Sequence, residues 1–137
     1  MRRKLLIVIC AALGLAACAG GKQPPDNGRV CQIYGSQQSR AEVVATGTVV
    51  DVLGMRRGPS GTHEGFLLRL NGACDLLVKV ETNTDLTGLV PLRSGENVEV
   101  KGEYEYNVLG GVIHWTHHDP RGRHDSGYVI AGGKMYQ

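Results

Sequence analysis

The feature that most restricts the fold is a strict alternation of apolar and charged side chains between Asn97 and Asn107. The two alternating sets are Val98, Val100, Gly102, Tyr104 and Tyr106 on one side and Glu99, Lys101, Glu103 and Glu105 on the other. A two-residue period places the apolar set on one face of a β-strand, whereas an α-helix would mix the two sets. The segment is therefore predicted to be a strand with one buried face and one face of solvated charges.

Similar patterns predict further strands separated by turn residues: Glu42–Leu53, Glu64–Leu70, Asp75–Glu81, Val112–Thr116 and Tyr128–Ala131. Glycine supplies 20 of the 137 residues, about twice its average share, which favours short strands and turns over a helical bundle. The connection from Thr82 to Gly95 has room for a short helix. This order predicts an all-β fold, a small five-stranded OB-fold-like barrel with a short helical connector, over residues 41–137. The alternative is an SH3-like barrel or a small sandwich.

Residues 1–17 have the form of a secretory signal peptide, with a basic start and an apolar run too short to span a bilayer. The sequence Leu-Ala-Ala-Cys that ends at Cys18 resembles the lipobox of bacterial lipoproteins, which implies cleavage before Cys18 and its lipidation. Ala19 follows in place of Asp, which under the lipoprotein sorting rule favours the outer membrane. We therefore expect a lipid-anchored protein of the bacterial cell envelope, on its periplasmic side or its surface. The alternative is an ordinary signal peptide that contains a cysteine.

Residues 18–40 are rich in glycine, proline and polar side chains, and are predicted to be the lipidated cysteine followed by a flexible tether. The chain has four cysteines, of which Cys10 lies in the leader and Cys18 is the predicted lipid site. Cys31 and Cys74 remain, and in the oxidising envelope we expect them to form a disulfide. The alternative is two unpaired thiols.

Four histidines and one aspartate lie close together in the segment His114-Trp115-Thr116-His117-His118-Asp119-Pro120-Arg121-Gly122-Arg123-His124. Imidazole nitrogens and a carboxylate suit transition metals such as Zn²⁺. Alternation predicts Trp115 in the core and His114 on the outer face. The candidate metal ligands are His114, His117, His118, Asp119 and His124, with His63 as a further candidate. The alternatives are a metal-free acid–base role and a histidine-rich surface turn in which Asp119 caps a loop.

A second candidate site is the loop Gly54–His63, which in an OB-fold joins the first two strands. Together with the turn Asn107–Gly111 it would flank the usual ligand groove of such folds. Arg56 and Arg57 are predicted to hold a phosphate, sulfate or carboxylate group, and His63 would complete this ligand site. The alternative is a mobile, solvated loop.

The surface residues argue against a nucleic-acid-binding module. Single-strand binders need aromatic platforms and a positive groove, whereas Phe66 is the only phenylalanine and its alternation predicts a core position. Removal of the three basic leader residues leaves 12 Lys and Arg against 13 Asp and Glu, so that the net charge falls from +2 to −1. We therefore expect no nucleic-acid partner.

The carboxyl-terminal segment resembles the bacterial domain-of-unknown-function family numbered 3465. The resemblance rests on Gly-Glu-Tyr-Glu-Tyr-Asn from Gly102, on the histidine segment with Gly-Gly-Val-Ile before it, and on the closing Tyr-Gln. It extends from Val44 to Gln137 and includes Thr-His-Glu-Gly-Phe around His63. It implies a small exported protein with a shared architecture and a candidate site, and it implies no particular reaction.

These observations predict a lipid-anchored envelope protein of uncharacterised activity. Its β-barrel would be a binding module that takes a metal, a small ligand or an envelope protein at the histidine-rich site. Enzymatic activity stays open, with binding preferred, because the sequence contains no recognised catalytic motif. The alternatives are a metal-dependent hydrolase, for example of phosphoesters, and a nucleic-acid-binding OB module or a structural envelope protein. The one cofactor expected is a transition metal such as Zn.

Overall fold

β-strands dominate the computed structural model, which describes residues 22–137. The predicted signal peptide (residues 1–17) and the lipidation site Cys18 lie outside the described residues. The elements in chain order are α1 (Asn27–Gly35), β1 (Ala41–Gly58), β2 (Gly61–Leu70), β3 (Leu77–Asn83), α2 (Thr84–Thr87), β4 (Asn97–Glu105), β5 (Val112–His114), β6 (Tyr128–Ala131) and β7 (Lys134–Tyr136). Neither helix in this part of the chain is long and apolar enough to cross a membrane.

Five strands form a ring in the order β1-β2-β3-β5-β4, and β4 pairs back onto β1. β3 and β5 run parallel, and the other neighbours in the ring are antiparallel. The hairpin of β6 and β7 adds to β4 beside β5. The predicted all-β, OB-fold-like arrangement is confirmed, and so is the short helical connector, which is the single turn α2.

The predicted alternation decides which side chains fill the ring. Along β4, Val98, Val100 and Tyr104 are buried, whereas the glutamates between them are partly exposed. Phe66 on β2 and Val80 on β3 are fully buried in the same core. The Tyr104 hydroxyl donates a hydrogen bond of 3.0 Å to the Gly110 carbonyl oxygen, which satisfies the one polar atom of this large core side chain.

Helix α1 lies within residues 18–40, so the prediction of a flexible tether is wrong for the part of that range that the helix occupies. The Asp26 side chain accepts a hydrogen bond of 2.9 Å from the Arg29 backbone N–H and caps the helix. Val30 and Ile33 are buried against the core. Because these two apolar residues lie three apart, they share one helix face, and their burial outweighs the polar composition of the segment.

The predicted disulfide between Cys31 and Cys74 is confirmed, with a Cα–Cα distance of 6.2 Å. It joins α1 to the turn that follows β2. The Asn27 side-chain amide strengthens the same attachment by donating 2.8 Å hydrogen bonds to the carbonyl oxygens of Thr46 and Asn71. The helix is thus fixed to the ring by apolar burial, a covalent bond and polar contacts.

The loop predicted at residues 54–63 is instead an ordered hairpin. β1 continues to Gly58 and β2 begins at Gly61, so only Pro59 and Ser60 form the turn. Met55 pairs with Glu64 across this hairpin, and Arg56 pairs with His63. Two register shifts in β1, near Asp51 and Leu53, interrupt the regular pairing there, and such bulges bend a strand and raise its twist. The glycines and arginines that suggested a loop are therefore part of a bent pair of strands.

Loss of the disulfide should strongly destabilise the fold. We expect Cys31→Ser/Cys74→Ser to lower the free energy of unfolding by about 4 kcal/mol, the loop-closure value for the sequence separation of 43. Urea denaturation of the oxidised protein and the double variant measures the difference. A change below about 1 kcal/mol would show that α1 docks without help from the bond.

Candidate functional site

A cleft of about 1130 Å³ opens on the outer side of the ring, across β2 and β3. The β1–β2 hairpin borders the cleft on one side, and the segment after β5 borders it on the other. This agrees with the strand order, because β1 and β5 are the outer neighbours of β2 and β3 in the ring. Its chemically important lining residues are Arg56, Arg57, His63, Lys79, Glu81, His114, Trp115, His117, Asp119, Arg121 and Arg123. Both candidate sites proposed from the sequence therefore contribute to one cleft.

The chain leaves the sheet abruptly at Trp115. β5 ends at His114, and Trp115 has a positive φ of 54° that no regular strand contains. The side chain is half-buried at the cleft instead of lying in the core, so the predicted core position is wrong. The Thr116 hydroxyl then donates a hydrogen bond of 3.0 Å to the Glu81 carbonyl oxygen, and this bond holds the redirected chain against β3.

The indole of Trp115 is the centre of an aromatic cluster. Its ring centroid lies 4.5 Å from that of His124, 5.2 Å from His114 and 6.0 Å from His117. His117 and His124 also meet edge to face at 5.0 Å. The cluster explains how histidines that are distant along the segment are gathered around one aromatic side chain.

Asp119 organises the loop between β5 and β6. Its carboxylate accepts backbone hydrogen bonds from Arg121 at 2.8 Å, from Arg123, and from His124 at 3.0 Å. Burial alone would raise its pKa, but these donors outweigh burial and lower the pKa to about 2. The arrangement matches the alternative in which Asp119 caps a loop, and its oxygens are already occupied by the loop's own backbone.

Three histidines are held through the same ring nitrogen, Nδ1. The Nδ1 atoms of His63, His117 and His124 lie 3.2, 2.8 and 2.8 Å from backbone carbonyl oxygens. Because a carbonyl only accepts, each Nδ1 carries the proton, which leaves Nε2 as an acceptor or ligand atom. Burial lowers the pKa of His117, although the hydrogen bond to the His118 carbonyl oxygen and the charge of Asp119 act in the opposite direction. His63 and His117, which line the cleft, can therefore offer Nε2 to a ligand.

The structure gathers some of the predicted metal ligands and separates others. His63, His114, His117 and Asp119 line the cleft, and His124 packs behind Trp115. His118 is exposed, and its Nδ1 lies 3.1 Å from the Ser126 hydroxyl. Among residues 22–137, the one group of three ligand atoms within 4.8 Å of one another is formed by Glu103, Glu105 and His114.

The cleft lining carries more positive than negative charge. Arg56, Arg57, Arg121 and Arg123 line it, and none of the ion pairs within residues 22–137 includes them. The carboxylates of the lining have internal partners: Glu81 pairs with Lys79 at 2.5 Å, and Asp85 accepts from the Thr62 backbone N–H at 2.9 Å. The Lys79 contact lowers the pKa of Glu81. Four guanidinium groups therefore stay available for a ligand.

Sequence reasoning missed several of these residues. Arg121 and Arg123 were not assigned to either candidate site, and neither were Lys79 and Glu81. Alternation along β3 places Lys79 and Glu81 on the same face of the strand. That shared face, together with its position beside the β1–β2 hairpin, is the sequence signal that could have identified them. The turn at residues 107–111, which was expected to flank the groove, is not among the cleft's lining residues.

The role of Asp119 is testable by substitution. Asp119→Ala should lower the melting temperature and shift the emission of Trp115, the only tryptophan, to longer wavelength, because three loop N–H groups lose their acceptor. Asp125→Ala is the control, since Asp125 is exposed in the same loop.

The role of Asp119 also predicts a dependence of stability on pH. Because the pKa of Asp119 is about 2 in the folded state and 3.8 ordinarily, its stabilisation of the fold is complete above pH 3.8 and is lost as the pH falls through about 2. An acid transition of equal size in Asp119→Ala would contradict this role.

Comparison with known proteins gives one assignment. No curated protein and no solved structure shows a significant match to the chain. The family model described as "Protein of unknown function (DUF3465)" matches residues 13–137, which include every element of the ring and every residue of the cleft. The chain therefore belongs to this family, as the histidine segment had indicated.

Proposed function

We propose that this protein is a lipid-anchored bacterial envelope protein whose cleft binds a small anionic ligand. The observation that carries the proposal is the convergence of Arg56 and Arg57 from the hairpin with Arg121 and Arg123 from the loop, all without ion-pair partners among residues 22–137. Guanidinium groups bind phosphate and carboxylate through two parallel hydrogen bonds, and such pairs fix orientation as well as charge.

The other lining residues suggest what accompanies the anion. Trp115 offers a flat apolar surface, and the Nε2 atoms of His63 and His117 can accept hydrogen bonds from hydroxyl or amino groups. An apolar surface with a few directed polar groups is typical of small-molecule sites. The favoured ligand is therefore a phosphate or carboxylate attached to a ring.

A single aromatic platform favours a small ligand over a nucleic-acid strand. Single-strand binders stack successive bases on several aromatic side chains along a positive groove. Here Phe66 and Tyr104 are in the core, so that Trp115 is the aromatic group of the cleft. This supports the expectation of no nucleic-acid partner.

The structure suggests a short distance between the proposed anchor and the domain. Lys22 already contacts the ring, with its Nζ 2.8 Å from a Glu99 carboxylate oxygen. The Asp26 backbone N–H donates a hydrogen bond of 2.9 Å to the Val44 carbonyl oxygen of β1. Lys22 follows Cys18 by four positions in the sequence, a reach of about 14 Å when fully extended. With Cys18 lipidated, the domain would lie close to the membrane surface.

Ligand binding can be tested by titrating the protein with phenyl phosphate, benzoate and phenol, and by measuring the heat of binding and the Trp115 fluorescence. We expect both anions to bind, phenol not to bind, and Arg56→Ala/Arg57→Ala and Arg121→Ala/Arg123→Ala each to weaken binding about tenfold or more. Arg69→Ala is the matched control, because Arg69 pairs with Asp75 and does not line the cleft. Equal affinity in all variants, or no binding of either anion, would refute the proposal. Release of inorganic phosphate from phenyl phosphate would instead support the hydrolase alternative.

Membrane attachment is tested by Cys18→Ala in the full chain. We expect the wild-type protein in the membrane fraction after an alkaline wash, and the variant in the soluble fraction, because the lipid-bearing thiol is lost. Mass spectrometry of the mature amino terminus checks for the acyl chains. Retention of the variant in washed membranes would contradict lipid anchoring.

A further inference from the structure

A second cluster of ligand-type side chains lies on the outer faces of β4 and β5. Glu103 and Glu105 are two residues apart and so share one face of β4. His114 on β5 pairs directly with Glu103 in the antiparallel register. One ligand atom from each of the three lies within 4.8 Å of the others, and all three side chains are half-buried.

This cluster contains an unsatisfied imidazole nitrogen. The Nε2 atom of His114 is inaccessible to solvent and has no hydrogen-bond partner within the described chain. It lies 3.5 Å from a Glu103 carboxylate oxygen. A buried polar atom without a partner costs free energy, and a bound ion is one of the few explanations for such an atom.

Negative charge has accumulated around the same position. Glu42 on β1 lies directly opposite Glu103 in the β1–β4 register, and like charges in such a pair are destabilising. One Glu42 carboxylate oxygen is buried without a hydrogen-bond partner among residues 22–137.

We propose that Glu103, Glu105 and His114 bind a divalent transition-metal cation such as Zn²⁺ or Mn²⁺. Two carboxylates and an imidazole form a donor set that these ions accept, and the partial exposure of the side chains leaves coordination positions for water. The cation would give His114 Nε2 a partner and offset the repulsion between the glutamates. The site goes beyond the anion-binding proposal, because its two carboxylates are not part of the cleft lining.

The test is titration of the untagged protein with ZnCl₂, MnCl₂, CoCl₂ and CaCl₂, monitored by calorimetry, by melting temperature and by Trp115 fluorescence. We expect one Zn²⁺ or Mn²⁺ per chain and much weaker Ca²⁺ binding, and Co²⁺ should quench Trp115, whose ring lies 5.2 Å from that of His114. Glu103→Gln/Glu105→Gln and His114→Ala should each weaken Zn²⁺ binding at least tenfold. His118→Ala is the matched control, since His118 is exposed and outside the cluster.

A second readout separates loss of the site from misfolding. Without metal, Glu103→Gln/Glu105→Gln should melt at or above the wild-type temperature, because repulsion with Glu42 is relieved. With metal, only the wild type should be stabilised further. The proposal would be overturned if neither Zn²⁺ nor Mn²⁺ bound at millimolar concentration. It would also be overturned if metal binding survived in Glu103→Gln/Glu105→Gln but was lost in His117→Ala/His124→Ala. Because the arginine variants leave the three ligands intact, they should keep full metal affinity, so the two proposals fail independently.

Discussion

Closure of the ring depends on β1, which pairs with two different strands over its length. Its first part pairs with β4 and its later part with β2, and Gly47 pairs with both, opposite Val98 and Leu70. A Cβ atom at Gly47 would overlap the Arg69 carbonyl oxygen and the Leu68 side chain. At Gly47 the strand can therefore approach β2 this closely only because the position has no side chain. The same strand continues into the hairpin that borders the cleft, so the ring and the cleft share β1.

The cleft exists because the chain departs from the sheet in two places. The β1–β2 hairpin extends past the ring, and the chain after β5 turns away at Trp115, whose φ is positive. Positive φ at a bulky residue carries a backbone cost, and such strain persists only where the surroundings impose it. Here the Thr116 hydroxyl bond to β3, the three N–H donors on Asp119 and the packing of His124 on the indole impose it.

Period-two alternation predicted the strands, because a strand with one buried face must repeat every two residues. The Cys31–Cys74 bond was predicted from the expectation that the chain is exported to an oxidising compartment. Alternation predicted Trp115 wrongly because it assumes that the strand continues, and the exit is caused by contacts from residues further along the chain. Helix α1 escaped prediction because two apolar residues, Val30 and Ile33, are too few for a periodic signal. The pairing of Glu103 with His114 is a matter of register, which a single strand's pattern does not contain.

His114 connects the two proposed sites, since it belongs to the Glu103–Glu105 cluster and also lines the cleft. A divalent cation at the cluster would add positive charge beside a cleft that is proposed to hold an anion. In a partly buried region such charges attract more strongly than in bulk water. Coupling between two ligands is reciprocal, so an anion in the cleft would tighten the cation by the same factor. His114 and Trp115 are adjacent in the chain and their ring centroids lie 5.2 Å apart, so this short segment is the physical link between the two proposed sites.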